Sequence, residues 1–586
     1  MLNVIKEVLR EEATIDKYIT VISVINGKRN LDNDQIKMIF QGDVHGTFYI
    51  YTNEEGEYEN EKKVTKAEAL EYIKYYNARL KRDSETEERL GAKLGVLGIE
   101  SELRFNHGEI SGDPTVFSLN EGPGKDYLDK PPMLFWLSAL SMKIFGIYDW
   151  AYRLPSFIFL MLALYATFKF AQLKYNQTVA YLAVLILASC QAFFLIAHDI
   201  RTDTMLMGWV ALSIWLIAKW ESSNAWPDFV WAMVAIAGGM MTKGPIALVV
   251  PVLTFAPQWF FEKKWAYFFK PIYLVGIVII GILLIPMSWG LYQQFDLQPG
   301  KLINNIPIQS GLRFYYWTQS FGRYTGENFY KEMGYFTFLL ENMFWSFLPW
   351  IFVFLWALFA KGYSMVSEGF FKPHSERISF FGFILTYFVL SRSQAQLPHY
   401  IFVVFPLAAI LTASHWEQFI WHNKTASKFM KGLFGFHLFL FTILIIAAAL
   451  IAFIPFGRIH WMGLLLGSSA LGLIIYIIFS KQAIGQKWFY MAVVLILGVN
   501  TFMNTHFYPN LLTFQWGNEL ARVADEKGWN KDKLVLYKIP NSHAFHFYGQ
   551  HVFANTKDSL QLTAGSWVIT DFKNDSALRV QFPHSI

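Results

Sequence analysis

The sequence predicts an all-α polytopic membrane protein of about twelve transmembrane helices, with a small soluble α/β segment at each end. Three observations predict it. Apolar residues make up 54% of the 586-residue chain and charged residues only 16%. Long apolar runs recur from about residue 152 to 505, as membrane-spanning helices require. The 21 Trp and 29 Tyr suit a protein with two membrane–water interfaces to anchor. The formal net charge of +5 decides little by itself, because orientation depends on which loops hold the cations.

Three parts follow in order. Residues 1–120 are polar, with an acidic patch (NEEGEYENEKK) and a helix-like stretch over 64–92, and read as a small α/β segment. The opening MLNVIKEVLREEATIDKY has no signal-peptide hydrophobic region, and no apolar span precedes residue 130. Residues 121–505 form the membrane domain, with predicted span centres near 162, 188, 212, 235, 253, 281, 348, 385, 407, 444, 470 and 497. Residues 506–586 are polar again, with β-like KLVLYKI and SWVITDF around the helix-like NELARVADEKGW, predicting an outward-facing α/β domain. The single Cys190 lies in an apolar run, which excludes an internal disulfide and any cysteine cluster for zinc or redox chemistry.

The positive charges fix an orientation. Lys174, Lys219, the group Lys263, Lys264 and Lys270, the group Lys361, Lys372 and Arg377, the group Lys424, Lys428 and Lys431, and the pair Lys481 and Lys487 fall in alternate loops. The positive-inside rule assigns those loops to the cytoplasm. The remaining loops face outward, and they hold every motif-like cluster: KDYLDKPP, HDIRTD, TKGP, the long stretch 293–335 and RSQAQLPHY.

Each outward cluster has a plain reading beside a chemical one. In HDIRTDTML, Asp199 and Arg201 can pair while Asp203 caps a helix; alternatively Asp203 faces a cavity and binds a polar substrate or a metal. Lys243 in TKGP, between two apolar runs, is either a snorkelling lysine or a cation for a phosphate headgroup. In RFYYWTQSFGRYTGENFYKE, cations alternate with aromatic rings. That pattern anchors a loop at the interface, or lets Arg grip a phosphate with its planar fork while rings stack on a sugar or isoprenoid. His399, beside Tyr400, is more commonly structural than catalytic. Together the loops suit a phosphate-bearing lipid. A channel fits poorly, since the span centres hold almost no ionisable groups, and a transporter would call for broken helices in repeated halves. No nucleic-acid partner is expected.

The stretch DYLDKPPMLFWLSALSMKIFGIYDWAYRLPS, followed in order by HDIRTDTML, TKGPIALVVP, FGRYTGE and LPHYIFVVFPLAAI, resembles the ArnT-like and protein O-mannosyltransferase-like glycosyltransferases of the C-type superfamily. The resemblance covers roughly residues 120–505. It implies the C-type glycosyltransferase fold and an inverting transfer from a polyprenyl-phosphate sugar, such as aminoarabinose or a hexose. Lipid A or another envelope glycolipid is the implied acceptor, in a bacterial inner membrane with the site facing the periplasm. A protein acceptor, or a lipid-linked-sugar binding or translocating protein without catalysis, is the alternative. It further implies that Lys130 holds the donor phosphate together with Arg323, Tyr400 and Lys243. Tyr127, Asp129, Arg201, Asp203 and His399 would line the substrate cavity, and Asp129 and Asp203 would share a divalent ion where one is bound. One feature departs from the family: its first transmembrane helix and the acidic motif after it are not recognisable. At the corresponding distance stand Glu100 and Glu102, with Asp113 closer, so the catalytic base is unassigned among these three.

Overall fold

A computed structural model describes residues 48–51, 61–64, 128 and most of 130–578, leaving aside 129 and short stretches such as 328–334, 372–375, 422–427 and 454–460. Glu100, Glu102, Asp113, Tyr127 and Asp129 lie outside the described residues, as does the helix expected over 64–92. The chain divides into two compact units. One comprises Tyr127–Lys301 and Pro307–Val523; the other comprises Met1–Asp126, Leu302–Ile306 and Ala524–Ile586.

The larger unit is a helical bundle. Six of its described helical runs are long and apolar enough to cross a membrane: Asp149–Lys174, Ile272–Asp296, Ile351–Glu368, Pro398–Trp421, Met430–Ala447 and Ile484–Leu512. A pair bent by 63°, Gln177–Ser189 with Gln191–Ala197, makes a seventh. Shorter apolar helices, Met133–Phe145, Ile246–Phe261 and Ile378–Ser391, stand among them. Two further helices, Thr202–Ser223 and Trp226–Lys243, complete the part that carries the site.

Each predicted span centre falls within a helix except the one near 348. There the chain turns between helices Phe338–Ser346 and Ile351–Glu368. Pro349 lacks the N–H that a continuous helix would use, so an unbroken apolar run hides a break. At the far end the helical run continues to Leu512, past residue 505.

Helix Ile272–Leu291 shows how the outer faces are solved. Leu274, Val275, Ile277, Val278, Ile282 and Ile285 are all exposed, as side chains bathed in lipid would be. Contact between helices relies on small residues instead. A Cβ added at Gly208 would stand 2.5 Å from the Phe159 carbonyl oxygen, so only glycine lets helices Thr202–Ser223 and Asp149–Lys174 touch backbone to backbone. In the core Trp350 packs edge-on to Trp416 at 5.5 Å and against Phe489 at 5.0 Å. Trp350 donates its indole N–H to Ser189 at 2.9 Å, so this buried ring leaves no polar group unsatisfied.

The smaller unit contains two β elements. Phe48–Tyr51 pairs antiparallel with Glu61–Val64. Leu534–Tyr537 is the centre of a three-stranded parallel sheet, flanked by Ala554–Thr556 and Trp567–Ile569.

Candidate functional site

Five segments far apart in sequence meet at one end of the bundle. Asp203 lies in the first turn of helix Thr202–Ser223, where the partial positive charge of the helix start favours a carboxylate. Lys243 is the last residue of helix Trp226–Lys243, where the opposite partial charge favours a cation. Gly244 follows with φ of 93°, a conformation that lets the chain leave the helix immediately after the lysine. Lys243 donates to Asp203 Oδ1, and both side chains are largely buried. Its ammonium also stands 3.9 Å from the centroid of the Tyr400 ring, a cation–π contact worth roughly 0.5–2 kcal/mol.

Tyr400 joins this pair to the long outer loop. Pro398–Val404 forms a 3-10 turn, begun by Pro398, that presents His399 and Tyr400 side by side. Arg323 donates to the Tyr400 hydroxyl at 2.9 Å and to the Gln319 carbonyl at 2.8 Å. The loop that carries Arg323 is itself pinned. Asp296 accepts from Ser310 Oγ at 2.5 Å and from the N–H of Gly311 at 2.9 Å, capping the short helix that opens the loop. Tyr316 and Ser288 share a hydrogen bond of 2.7 Å, and Tyr315 donates to the Met240 carbonyl one turn before Lys243. Arg313, by contrast, turns away to an exposed pair with Glu327 at 3.2 Å.

Lys130 completes the cluster. Leu128 beside it is buried, and Pro132 is the N-cap residue of helix Met133–Phe145, its carbonyl accepting from Trp136 N–H at 2.9 Å. Neither Pro131 nor Pro132 has an N–H to satisfy, so the prolines can start the helix and stiffen the lysine's approach at the same time. Among the described residues Lys130 makes no hydrogen bond or ion pair. Burial lowers its pKa, and the nearby Lys243 ammonium lowers it further; Tyr400 and Asp203 pull the other way and Arg323 adds to the lowering. It is a half-buried cation held near two others and, among the described residues, paired with no carboxylate.

On the other side of Asp203, His399 Nε2 lies 3.5 Å from Oδ2, and Arg201 Nη1 lies 2.9 Å from His399 Nδ1. Arg201 is in turn paired with Asp199. Of the residues expected to act, Lys130, Arg201, Asp203, Lys243, Arg323, His399 and Tyr400 are thus brought together. What the sequence does not signal is who partners whom, since the Lys243–Tyr400 and Arg201–His399 contacts link segments over 150 positions apart.

The described donors do not fit a divalent ion. Asp203 Oδ1 is taken by Lys243, Oδ2 faces His399, and no group of three or more His, Cys, Asp or Glu side chains gathers among the described residues. A second cation placed on Asp203 would also meet the charges of Lys243 and Lys130.

This geometry can be set beside known proteins. The sequence model of the family described as dolichyl-phosphate-mannose-protein mannosyltransferase matches residues 129–289, the stretch from Lys130 through Lys243 and beyond. The chain is 25% identical over 343 residues to an undecaprenyl phosphate-alpha-4-amino-4-deoxy-L-arabinose arabinosyl transferase of Enterobacter sp. (strain 638), covering 57% of this chain and 58% of that one. A second transferase of the same description, from Proteus mirabilis, is 29% identical over 173 residues, 28% of this chain and 30% of that one. The crystal structure of ArnT from Cupriavidus metallidurans bound to undecaprenyl phosphate superimposes with a TM-score of 0.58 at 17% identity, over 81% of this chain and 84% of that one. The chain shares the fold of ArnT and resembles the ArnT-like glycosyltransferases in sequence. The resemblance read from the outer loops is borne out, and the chain spans less than two thirds of the length of these curated relatives.

Proposed function

We propose that this chain is an integral membrane glycosyltransferase that moves a sugar from a polyprenyl-phosphate carrier to lipid A or another envelope glycolipid. The observation that carries the reading is the surplus of fixed positive charge around Lys130. Among the described residues, Lys130, Lys243, Arg323 and Arg201 face only Asp203 and Asp199 as carboxylates. A sugar-phosphate-lipid donor is a phosphodiester; when the sugar leaves, the phosphate becomes a monoester and gains charge. Cations fixed beforehand interact more strongly with that product-like phosphate than with the donor, which is what lowering the barrier requires.

In the proposed step an acceptor oxygen attacks the anomeric carbon and forms the new glycosidic bond. The bond from that carbon to the phosphate oxygen breaks, its electron pair stays on the phosphate, and attack from the opposite face inverts the anomeric centre. The acceptor's proton must go to a base. Its candidates, Glu100, Glu102 and Asp113, lie outside the described residues, and Tyr127 and Asp129 flank the same slot by sequence. We place the site on the outer face of a bacterial cytoplasmic membrane, on the strength of the cation parity of the loops, with about twelve spans once the short apolar helices are counted. The relatives' descriptions favour aminoarabinose as the sugar and undecaprenyl phosphate as the carrier. The family description favours a second reading, a mannosyltransferase with a protein acceptor.

The test is release of undecaprenyl phosphate from labelled undecaprenyl-phosphate aminoarabinose by the purified chain in liposomes containing lipid A. Release that Lys130→Ala loses is the expected result. Donor bound but never cleaved, with any acceptor, would leave a lipid-binding protein instead.

A further inference from the structure

We infer that Arg201 and His399 form a positioning relay that holds the Asp203 carboxylate, and through it the Lys243 ammonium, in place without touching the sugar donor. The inference rests on the phosphate slot proposed above and assigns work within it. An arginine side chain has five N–H donors and no acceptor. With Arg201 Nη1 2.9 Å from His399 Nδ1, that nitrogen must supply a lone pair. The imidazole proton is then on Nε2, the atom that faces Asp203 Oδ2 at 3.5 Å. The opposite tautomer would set a lone pair against a carboxylate and an N–H against a guanidinium, unfavourable at both ends.

The polarity therefore runs one way. Asp199 holds Arg201. Arg201 donates to His399, His399 presents its N–H to Asp203 Oδ2, and Oδ1 accepts from Lys243. Exposure falls in the same direction, from 45% and 42% for the side chains of Asp199 and Arg201, through 18% for His399, to 7% for Asp203. The exposed members end on protein partners rather than on an open slot. Lys243 is gripped on two sides, by Asp203 and by the ring of Tyr400, and His399 and Tyr400 are adjacent on one 3-10 turn. Asp203 therefore acts as the anchor of a cation, one oxygen accepting from Lys243 and the other facing the His399 N–H.

The experiment is equilibrium binding of undecaprenyl phosphate to the full chain in lipid nanodiscs, for wild type, R201M, H399F, H399Q and the R201M/H399F pair. R201M and H399F should each weaken binding about tenfold, and the pair should be no weaker than H399F alone, because both break one chain of contacts. H399Q should stay within about twofold of wild type, since an amide can accept from Arg201 and donate to Asp203. A thermal melt of each variant identifies any that fails to fold. R201K, which keeps a donor, then stands in for R201M and should bind as wild type does. Losses that multiply to about a hundredfold in the pair, or H399Q as weak as H399F, overturn the relay and make His399 a direct ligand of the donor. Wild type that binds undecaprenyl phosphate but never releases it from the sugar donor refutes the transferase reading and leaves the relay testable. Wild type that does not bind it refutes the slot itself.

Discussion

The two ends of the helices that carry the site are both charged, and they use charge in opposite ways. At one end Lys174, Lys219, Lys264 and Arg377 each pair with a carboxylate of Glu221, Asp228 or Glu262, while Glu376 accepts from Tyr175 and from the Ser379 N–H. Glu221 alone takes Lys174 at 2.9 Å, Lys264 at 3.0 Å and the indole N–H of Trp259 at 3.2 Å. At the other end four cations meet two described carboxylates, and Lys130 has no described partner. Cations met one by one by carboxylates lock helix ends together. At the other end the described cations outnumber the described carboxylates, which suits the anionic donor proposed above.

Five measurements can break or sharpen this contrast, and the largest effect belongs to Lys130. Lys130→Ala should cut release of undecaprenyl phosphate by about 10²–10³, the loss expected for one fixed donor to developing charge, without lowering the melting temperature. Glu221→Gln should do the reverse. Removing the charge from a buried ion-pair hub costs about 3 kcal/mol, so thermal stability falls while turnover per folded molecule stays near wild type. If Glu221→Gln abolished turnover in a fully folded protein, the two ends could not be separated in this way.

The pH dependence of donor binding comes next. Burial and the Lys243 charge lower the pKa of Lys130, and a bound phosphate would raise it, so binding takes up a proton on the alkaline side. Affinity for undecaprenyl phosphate should thus begin to fall at a lower pH than an exposed lysine would give, by up to about tenfold per pH unit. Lys130→Arg, which keeps its charge, should move that limb upward. An unmoved limb would mean that another group causes it. A smaller change is expected for Tyr400→Phe, measured as donor affinity. The ring that receives Lys243 remains, while the acceptor for Arg323 is lost, a cost of about 1 kcal/mol or fivefold. At the low end, Arg313→Gln removes an exposed pair worth less than about 1 kcal/mol and should leave both stability and binding unchanged.

The sequence by itself determined the class of the molecule and named outward side chains that the fold brings together. Apolar runs of spanning length can only be helices in lipid, because every backbone polar group must be satisfied within the segment. Motif order along the outer loops was enough to single out Lys130, Asp203, Lys243, Arg323, His399 and Tyr400, since each is a polar group placed at a costly boundary. It could not see the turn at Pro349 inside an apolar stretch, because hydropathy averages over a break that a single missing N–H creates. Without the family resemblance, the pattern of cations among aromatic rings could not tell Arg313 from Arg323 on one loop, though one ends on Glu327 and the other on Tyr400. Only the tertiary structure decided that Asp203 anchors Lys243 and that, among the described residues, Lys130 pairs with no acid. Charge balance is a property of distances across five separate segments, and local sequence carries no record of which of those segments will meet.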